Sequence, residues 1–74
     1  MIQAMVIDVI SDHGTVIQLL GHDPHTNFRR AVAGEYRAMR AVIEALELAV
    51  GREVGIFYGD DRDEYLCDPN LAAA

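Results

Sequence analysis

The sequence contains a single cysteine, Cys67, among its 74 residues. One cysteine cannot form an internal disulfide, and no cluster of cysteine and histidine has zinc-binding spacing, so the usual cross-links of small domains are missing. A chain of this length buries only about 60% of the surface that its unfolded form exposes. Because 51% of the residues are hydrophobic, we expect a homodimer to cover part of the remaining apolar surface.

Basic residues are also scarce. The chain has no lysine and six arginines against twelve acidic residues, and its formal net charge is −6. Direct binding to DNA or RNA normally requires a basic surface, so this composition argues against it. No apolar run approaches the roughly 18 residues of a membrane span, and no signal-peptide pattern is present. With a free thiol, these absences predict a cytoplasmic protein that does not interact with membranes.

Two apolar runs near the N-terminus predict a β-hairpin. Residues 2–10 (IQAMVIDVI) and 15–20 (TVIQLL) are rich in β-branched and aliphatic residues, and the polar turn between them ends in Gly14. The first run is apolar at both odd and even positions, which is typical of a central strand that is covered on both faces. Asp8 is the exception within it.

The segment from Asp23-Pro24 to Gly51 has a helical pattern. Its apolar residues recur at spacings of three and four, which predicts a long amphipathic helix, and they are Phe28, Val32, Tyr36, Met39, Ile43, Leu46 and Val50. Gly34 interrupts the pattern, so the helix begins either near residue 24 or near residue 35. Residues 53–59 (EVGIFYG) then predict a third strand, and residues 60–70 a polar tail.

These elements predict one α+β domain over residues 1–71. Its architecture is ββαβ, with a three-stranded sheet in the order 2-1-3, the third strand parallel to the first, and the helix on one face. The other face of the first strand then needs a cover, which a second copy would supply. We expect residues 72–74, Ala-Ala-Ala, to be a remnant of cloning.

Three carboxylates stand out against this expected architecture. Asp8 interrupts an apolar strand, Glu35 lies beside the apolar stripe of the helix, and Asp60 follows the third strand. In the expected sheet all three would converge at one end, where they could bind Mg²⁺ or Mn²⁺. The alternative for Glu35 is a role at the first turn of the helix, where acidic residues are favourable. His22, Asp23 and His25 could bind a transition metal, although polar residues are also common in a turn.

Residues 34–61 (GEYRAMRAVIEALELAVGREVGIFYGDD) resemble the ribonuclease H-like fold. In that family a helix that opens with Glu-Tyr or Glu-Leu leads to a hydrophobic strand that ends in a catalytic aspartate, and Glu35 and Asp60 occupy the matching positions. The resemblance implies a metal-dependent phosphodiesterase with Glu35, Asp60 and Asp8 as catalytic residues. The chain has no room for the second half of that fold, so the resemblance implies a truncated or derived core.

Charge segregation favours a different function. Asp60, Asp61, Asp63 and Glu64 crowd the segment after the third strand, and Tyr58 and Tyr65 flank them. Segregated charge with aromatic anchors is typical of a docking surface. We therefore expect a small, non-catalytic protein-binding module without a cofactor, whose partner has a basic surface. An inhibitor of a nucleic-acid-binding protein, such as phages encode, is one form of such a module. The phosphodiesterase is the alternative.

Overall fold

The computed structural model describes residues 2–70, which form a five-stranded antiparallel sheet and one helix. The elements in chain order are β1 (Gln3–Asp12), β2 (Val16–His22), β3 (Arg29–Glu35), α1 (Tyr36–Leu46), β4 (Glu53–Tyr58) and β5 (Glu64–Cys67). The strand order in the sheet is β3-β2-β1-β4-β5, and every neighbouring pair is antiparallel. The cloning remnant that we expected at residues 72–74 lies outside the described residues.

The predicted three-stranded ββαβ architecture is therefore wrong. β1 and β2 do form a hairpin, and β4 lies beside β1, but β4 runs antiparallel to β1 rather than parallel to it. Of the two predicted starts of the helix, the one near residue 35 agrees with α1, which begins at Tyr36, and the one near residue 24 is wrong because residues 29–35 form β3. The helix is also shorter than predicted, with 11 residues. The segment predicted to be a polar tail contains β5.

The failure to predict residues 29–35 as a strand has a simple physical cause. Phe28, Val32 and Tyr36 are separated by four residues, which fits a helical stripe but equally fits the alternation of a strand, because four is a multiple of two. Val32 lies opposite Leu19 of β2, and both side chains are buried. Burial in this cross-strand pair selects the strand conformation over the local helical preference.

The core lies on one face of the sheet, which we call the inner face. Its buried strand residues are joined by Met39 of α1 and by Leu48, and together they are Met5, Ile7, Ile17, Leu19, Val32, Met39, Leu48, Val54 and Ile56. The opposite, outer face carries Val9, Leu20 and Ala31, which lie side by side on β1, β2 and β3. Val9 and Leu20 are 44% and 37% exposed, respectively. The outer face is thus partly apolar and open.

The sheet is strongly curled around its inner face. β3 and β5 lie at its two edges, yet Arg30 Nη2 of β3 lies 3.2 Å from Glu64 Oε2 of β5 and 3.4 Å from the Tyr58 hydroxyl. Four strand spacings of about 4.8 Å separate the edges of a flat sheet of this size, which is beyond the reach of these side chains. The two edges therefore approach each other, and the Arg30–Glu64 ion pair bridges them.

A β-bulge in β1 accounts for Asp8. The pairing of β1 with β2 shifts by one residue between Ile7 and Val9, so Asp8 is the additional residue. A bulge bends the strand and leaves the extra residue outside the regular ladder, which allows Asp8 to be exposed in a central strand.

Among the described residues, no helix is long and apolar enough to cross a membrane.

Substitution of Gly21 tests how closely β1 and β2 approach each other. A Cβ atom at Gly21 would clash with the Val6 backbone oxygen, whereas a Cβ at Gly34 would meet only the flexible Met39 side chain, at 2.8 Å. We expect Gly21→Ala to lower the free energy of unfolding by about 3 kcal/mol and Gly34→Ala to lower it by about 1 kcal/mol. Urea denaturation measures both changes, and equal effects would contradict the described approach of β1 to β2.

Candidate protein-binding site at the tip of the β4–β5 hairpin

The six residues predicted to bind a protein partner all lie at one end of the β4–β5 hairpin. β4 and β5 pair through Phe57 with Tyr65 and Tyr58 with Glu64, and residues 59–63 form the connecting loop. We call Tyr58–Tyr65 the hairpin tip. Two backbone hydrogen bonds close the loop, from Gly59 N–H to Asp63 O at 3.0 Å and from Arg62 N–H to Gly59 O at 2.9 Å. The tip is thus an ordered turn and not an extended tail.

Asp61 is the residue that organises the loop. Its carboxylate accepts hydrogen bonds from the Tyr65 hydroxyl and from the Asp63 backbone N–H, the latter at 3.1 Å. The Tyr65 hydrogen bond and then the Asp63 N–H lower the pKa of Asp61, because both stabilise the charged carboxylate. The same hydrogen bond raises the pKa of Tyr65, and the negative charges of Asp61 and Asp63 raise it further.

The two tyrosines lie on different faces of the hairpin. Tyr65 stacks on Phe57 with 5.5 Å between the ring centroids, and it is 42% exposed. Tyr58 lies on the inner side, beside the Arg30 guanidinium, and it is 58% exposed. Both rings therefore make contacts within the chain and are still partly exposed.

The acidic residues of the tip differ in their availability. Glu64 is paired with Arg30, and Asp61 is engaged with Tyr65. Asp60 and Asp63 are exposed, and within residues 2–70 neither side chain forms an ion pair. Arg30 was not anticipated as part of this region, because it lies 34 residues before Glu64 and no local sequence pattern connects the two.

The structure places the three carboxylates of the expected metal site apart. Gln3, the first residue of β1, lies opposite Ile56, so Tyr58 and the loop with Asp60 lie beyond the start of β1. Asp8 lies toward the other end of β1. Glu35 lies opposite Val16, next to the turn between β1 and β2. Within the described part of the chain, no group of three potential ligands could hold a metal ion.

Asp8 and Glu35 have local structural roles instead. Asp8 Oδ2 lies 2.8 Å from His22 Nδ1 on the outer face. Glu35 is the N-cap of α1, and its carboxylate accepts a hydrogen bond from the Ala38 backbone N–H at 3.1 Å. Such a cap satisfies one of the free N–H groups in the first helical turn. Glu35 therefore has the role at the start of the helix that was the alternative to metal binding.

The His22–Asp23–His25 turn is likewise explained without a metal. Asp23 Oδ1 accepts hydrogen bonds from the backbone N–H groups of His25 and Thr26, at 2.7 and 3.1 Å. These two hydrogen bonds lower the pKa of Asp23 because they stabilise its charged form. His22 points to Asp8. The polarity of the segment thus serves the turn between β2 and β3.

No family model matches this chain, and neither the curated proteins nor the solved structures contain a significant match to it.

Replacement of Glu35 separates a cap from a metal ligand. We expect Glu35→Ala to lower the free energy of unfolding by about 1 kcal/mol, because the Ala38 N–H loses its acceptor. Glu35→Gln should lower it by about 0.5 kcal/mol, since an amide oxygen can still accept but lacks the charge that favours the helix N-terminus. Millimolar Mn²⁺ should not change the melting temperature of any of the three proteins. A Mn²⁺-dependent rise that Glu35→Gln abolishes would contradict the capping role.

Titration of Asp61 tests the order of the hairpin tip. Carboxyl resonances measured by NMR should give Asp61 a pKa below its ordinary 3.8, and Tyr65→Phe should move that pKa back toward 3.8. Because the pKa is depressed in the folded chain, the contact stabilises the fold above the unfolded pKa and is lost as the pH falls through the folded pKa. The pKa of Tyr65 is raised in the folded chain, so the stabilisation from its protonated hydroxyl is fully present below the ordinary pKa of 10.0. This stabilisation is lost as the pH rises through the folded pKa of Tyr65. An Asp61 pKa that Tyr65→Phe leaves unchanged would show that the contact does not form in solution.

Proposed function

We propose that this chain is a small, non-catalytic protein-binding module that presents its hairpin tip to a basic surface of a partner protein. The observation that carries this proposal is the ordered loop of residues 59–63, which displays Asp60 and Asp63 between two exposed tyrosines. Because the loop is already fixed by the Asp61 contacts, little conformational entropy is lost when it binds.

The chemistry of the tip indicates the class of partner. Carboxylates spaced along a turn attract arginine and lysine side chains, and exposed tyrosines supply the apolar contact area that anchors interfaces. Surfaces rich in arginine and lysine are those that bind nucleic-acid phosphates. In this proposal the tip occupies such a surface, so that the module acts as an inhibitor of a nucleic-acid-binding protein.

The metal-dependent phosphodiesterase is not retained as a second candidate. Its support came from the expected ββαβ sheet, in which Asp8, Glu35 and Asp60 converged. The observed antiparallel sheet separates them, and the described residues contain no three-ligand group.

An arginine-rich helical peptide serves as a probe for the proposed surface. We expect this peptide to bind the wild-type chain, and the double variant Asp60→Lys, Asp63→Lys to slow its association on the order of tenfold at low salt. The effect should shrink as the salt concentration rises, because salt screens exposed charges. Stopped-flow fluorescence with a labelled peptide measures the association rate.

The matched control is the double variant Glu44→Lys, Glu53→Lys. Both residues are exposed and lie outside the hairpin tip, and the change in net charge is the same. If binding uses the tip, the control retains most of the wild-type rate. If the two double variants slow association equally, the peptide responds only to net charge and the proposal fails.

A further inference from the structure

The free edge of β3 exposes a regular row of backbone hydrogen-bonding groups. Among residues 2–70, β3 lies at the end of the sheet and pairs with β2 alone. In the same register, Tyr36 N–H donates to Thr15 O and Asp23 N–H donates to Phe28 O. Since hydrogen-bonded pairs alternate along an antiparallel ladder, Arg30, Val32 and Gly34 direct their N–H and C=O groups toward β2.

The intervening residues consequently direct their backbone groups away from the sheet. These groups belong to Arg29, Ala31 and Ala33, together with the N–H of Glu35, whose C=O is already the first acceptor of α1, and all four residues are exposed. An edge of this kind is a template for a further strand unless something protects it. β3 carries no proline and no bulge, and Ala31–Gly34 contains no charged side chain.

The other edge of the sheet is protected. β5 is only four residues long, and Asp63, Glu64 and Asp68 lie in it or directly beside it. Short length and repeated negative charge both discourage pairing with another strand. The two edges therefore differ, and only β3 is suited to pairing.

The sequence of β3 is complementary to itself in the antiparallel direction. A twofold axis through Val32 places Ala31 opposite Ala33 of a second copy, and Arg29 opposite Glu35. Arg29 and Glu35 have opposite charges, and a directly opposed pair of this kind stabilises a sheet. Glu35 caps α1 through Oε2, so its Oε1 meets the Arg29 of the other copy. The alternation described above makes Ala31–Ala33 a hydrogen-bonded pair across the new edge, and at Arg29–Glu35 the Glu35 N–H can donate to the Arg29 C=O of the other copy. Within residues 2–70, Arg29 has no acidic partner in its own chain.

We propose that two copies of this chain pair antiparallel through β3, with the backbone hydrogen bonds centred on Ala31–Ala33. The interface is isologous, since each Arg29 meets the Glu35 of the other copy. The proposal goes beyond the hairpin tip and does not depend on it. It also differs from the dimer expected from the sequence, in which a second copy would cover the open face of the first strand.

Substitution of Ala33 by proline tests the pairing directly. The Ala33 N–H points away from β2, so proline removes no hydrogen bond within the chain but blocks pairing with a second copy. Wild type and Ala33→Ser, which keeps the N–H, should sediment at about twice the 8.2 kDa chain mass at high micromolar concentration. Ala33→Pro should sediment at the mass of a single chain, with circular dichroism confirming that it is folded.

A charge reversal provides the second test, which decides the question if Ala33→Pro does not fold. Arg29→Glu places a carboxylate opposite the Glu35 of the other copy at both ends of the interface. The repulsion between these like charges should weaken dimerisation on the order of tenfold, most strongly at low salt. Arg37→Glu, on the exposed surface of α1, makes the same change in net charge and should leave the dimer intact.

Three results would overturn the proposal. A wild-type chain that remains monomeric would leave the edge for a strand of another protein. A dimer that persists in both Ala33→Pro and Arg29→Glu would place the interface elsewhere, for example on the outer face. Equal weakening by Arg29→Glu and Arg37→Glu would indicate a response to net charge alone. The Asp60→Lys, Asp63→Lys variant should remain dimeric, so failure at the hairpin tip is distinguishable from failure at β3.

Discussion

Burial of one apolar sheet face is the constraint on which the rest of this structure depends. The chain has enough apolar side chains to fill one core, and that core lies on the inner face of the sheet with Met39 and Leu48. A flat sheet with one short helix would leave much of this face in water. Curling brings the two edge strands together, and the Arg30–Glu64 ion pair spans them at 3.2 Å.

The curling of the sheet also determines which acidic side chains of the hairpin tip are engaged within the fold. It draws Arg30 to Glu64 and Tyr58, so one acidic side chain of the tip is used within the fold. Asp61 is used in the loop by Tyr65 and Asp63. The exposed carboxylates of Asp60 and Asp63 then stand on a fixed scaffold, and a fixed loop loses less conformational entropy on binding than a mobile tail does.

The inner and outer parts of the sheet have different consequences for assembly. Burial on the inner face stabilises the fold of one chain. The edge backbone of β3 and the exposed side chains of Val9 and Leu20 lie outside this core. An unprotected edge strand is a liability for a soluble monomer, because its hydrogen-bonding groups can pair with any extended segment. In the proposed dimer, pairing with a second copy satisfies these groups in a defined and closed manner, and the opposite ends of β3 carry opposite charges.

The sequence by itself determined the positions of β1, β2 and β4 and the acidic character of the hairpin tip, because these depend on local runs of apolar or charged residues. Only the tertiary structure decided that residues 29–35 form a strand, since a spacing of four residues fits both a helix and a strand and the Val32–Leu19 pair selects between them. The direction of β4 was decided in the same way, because the additional strand β3 reverses the chain once more before α1 and leaves β4 antiparallel to β1. The separation of Asp8, Glu35 and Asp60, and the approach of Arg30 to Glu64, follow from this topology and from the curling of the sheet. No local pattern encodes them, because they join residues that are distant in sequence.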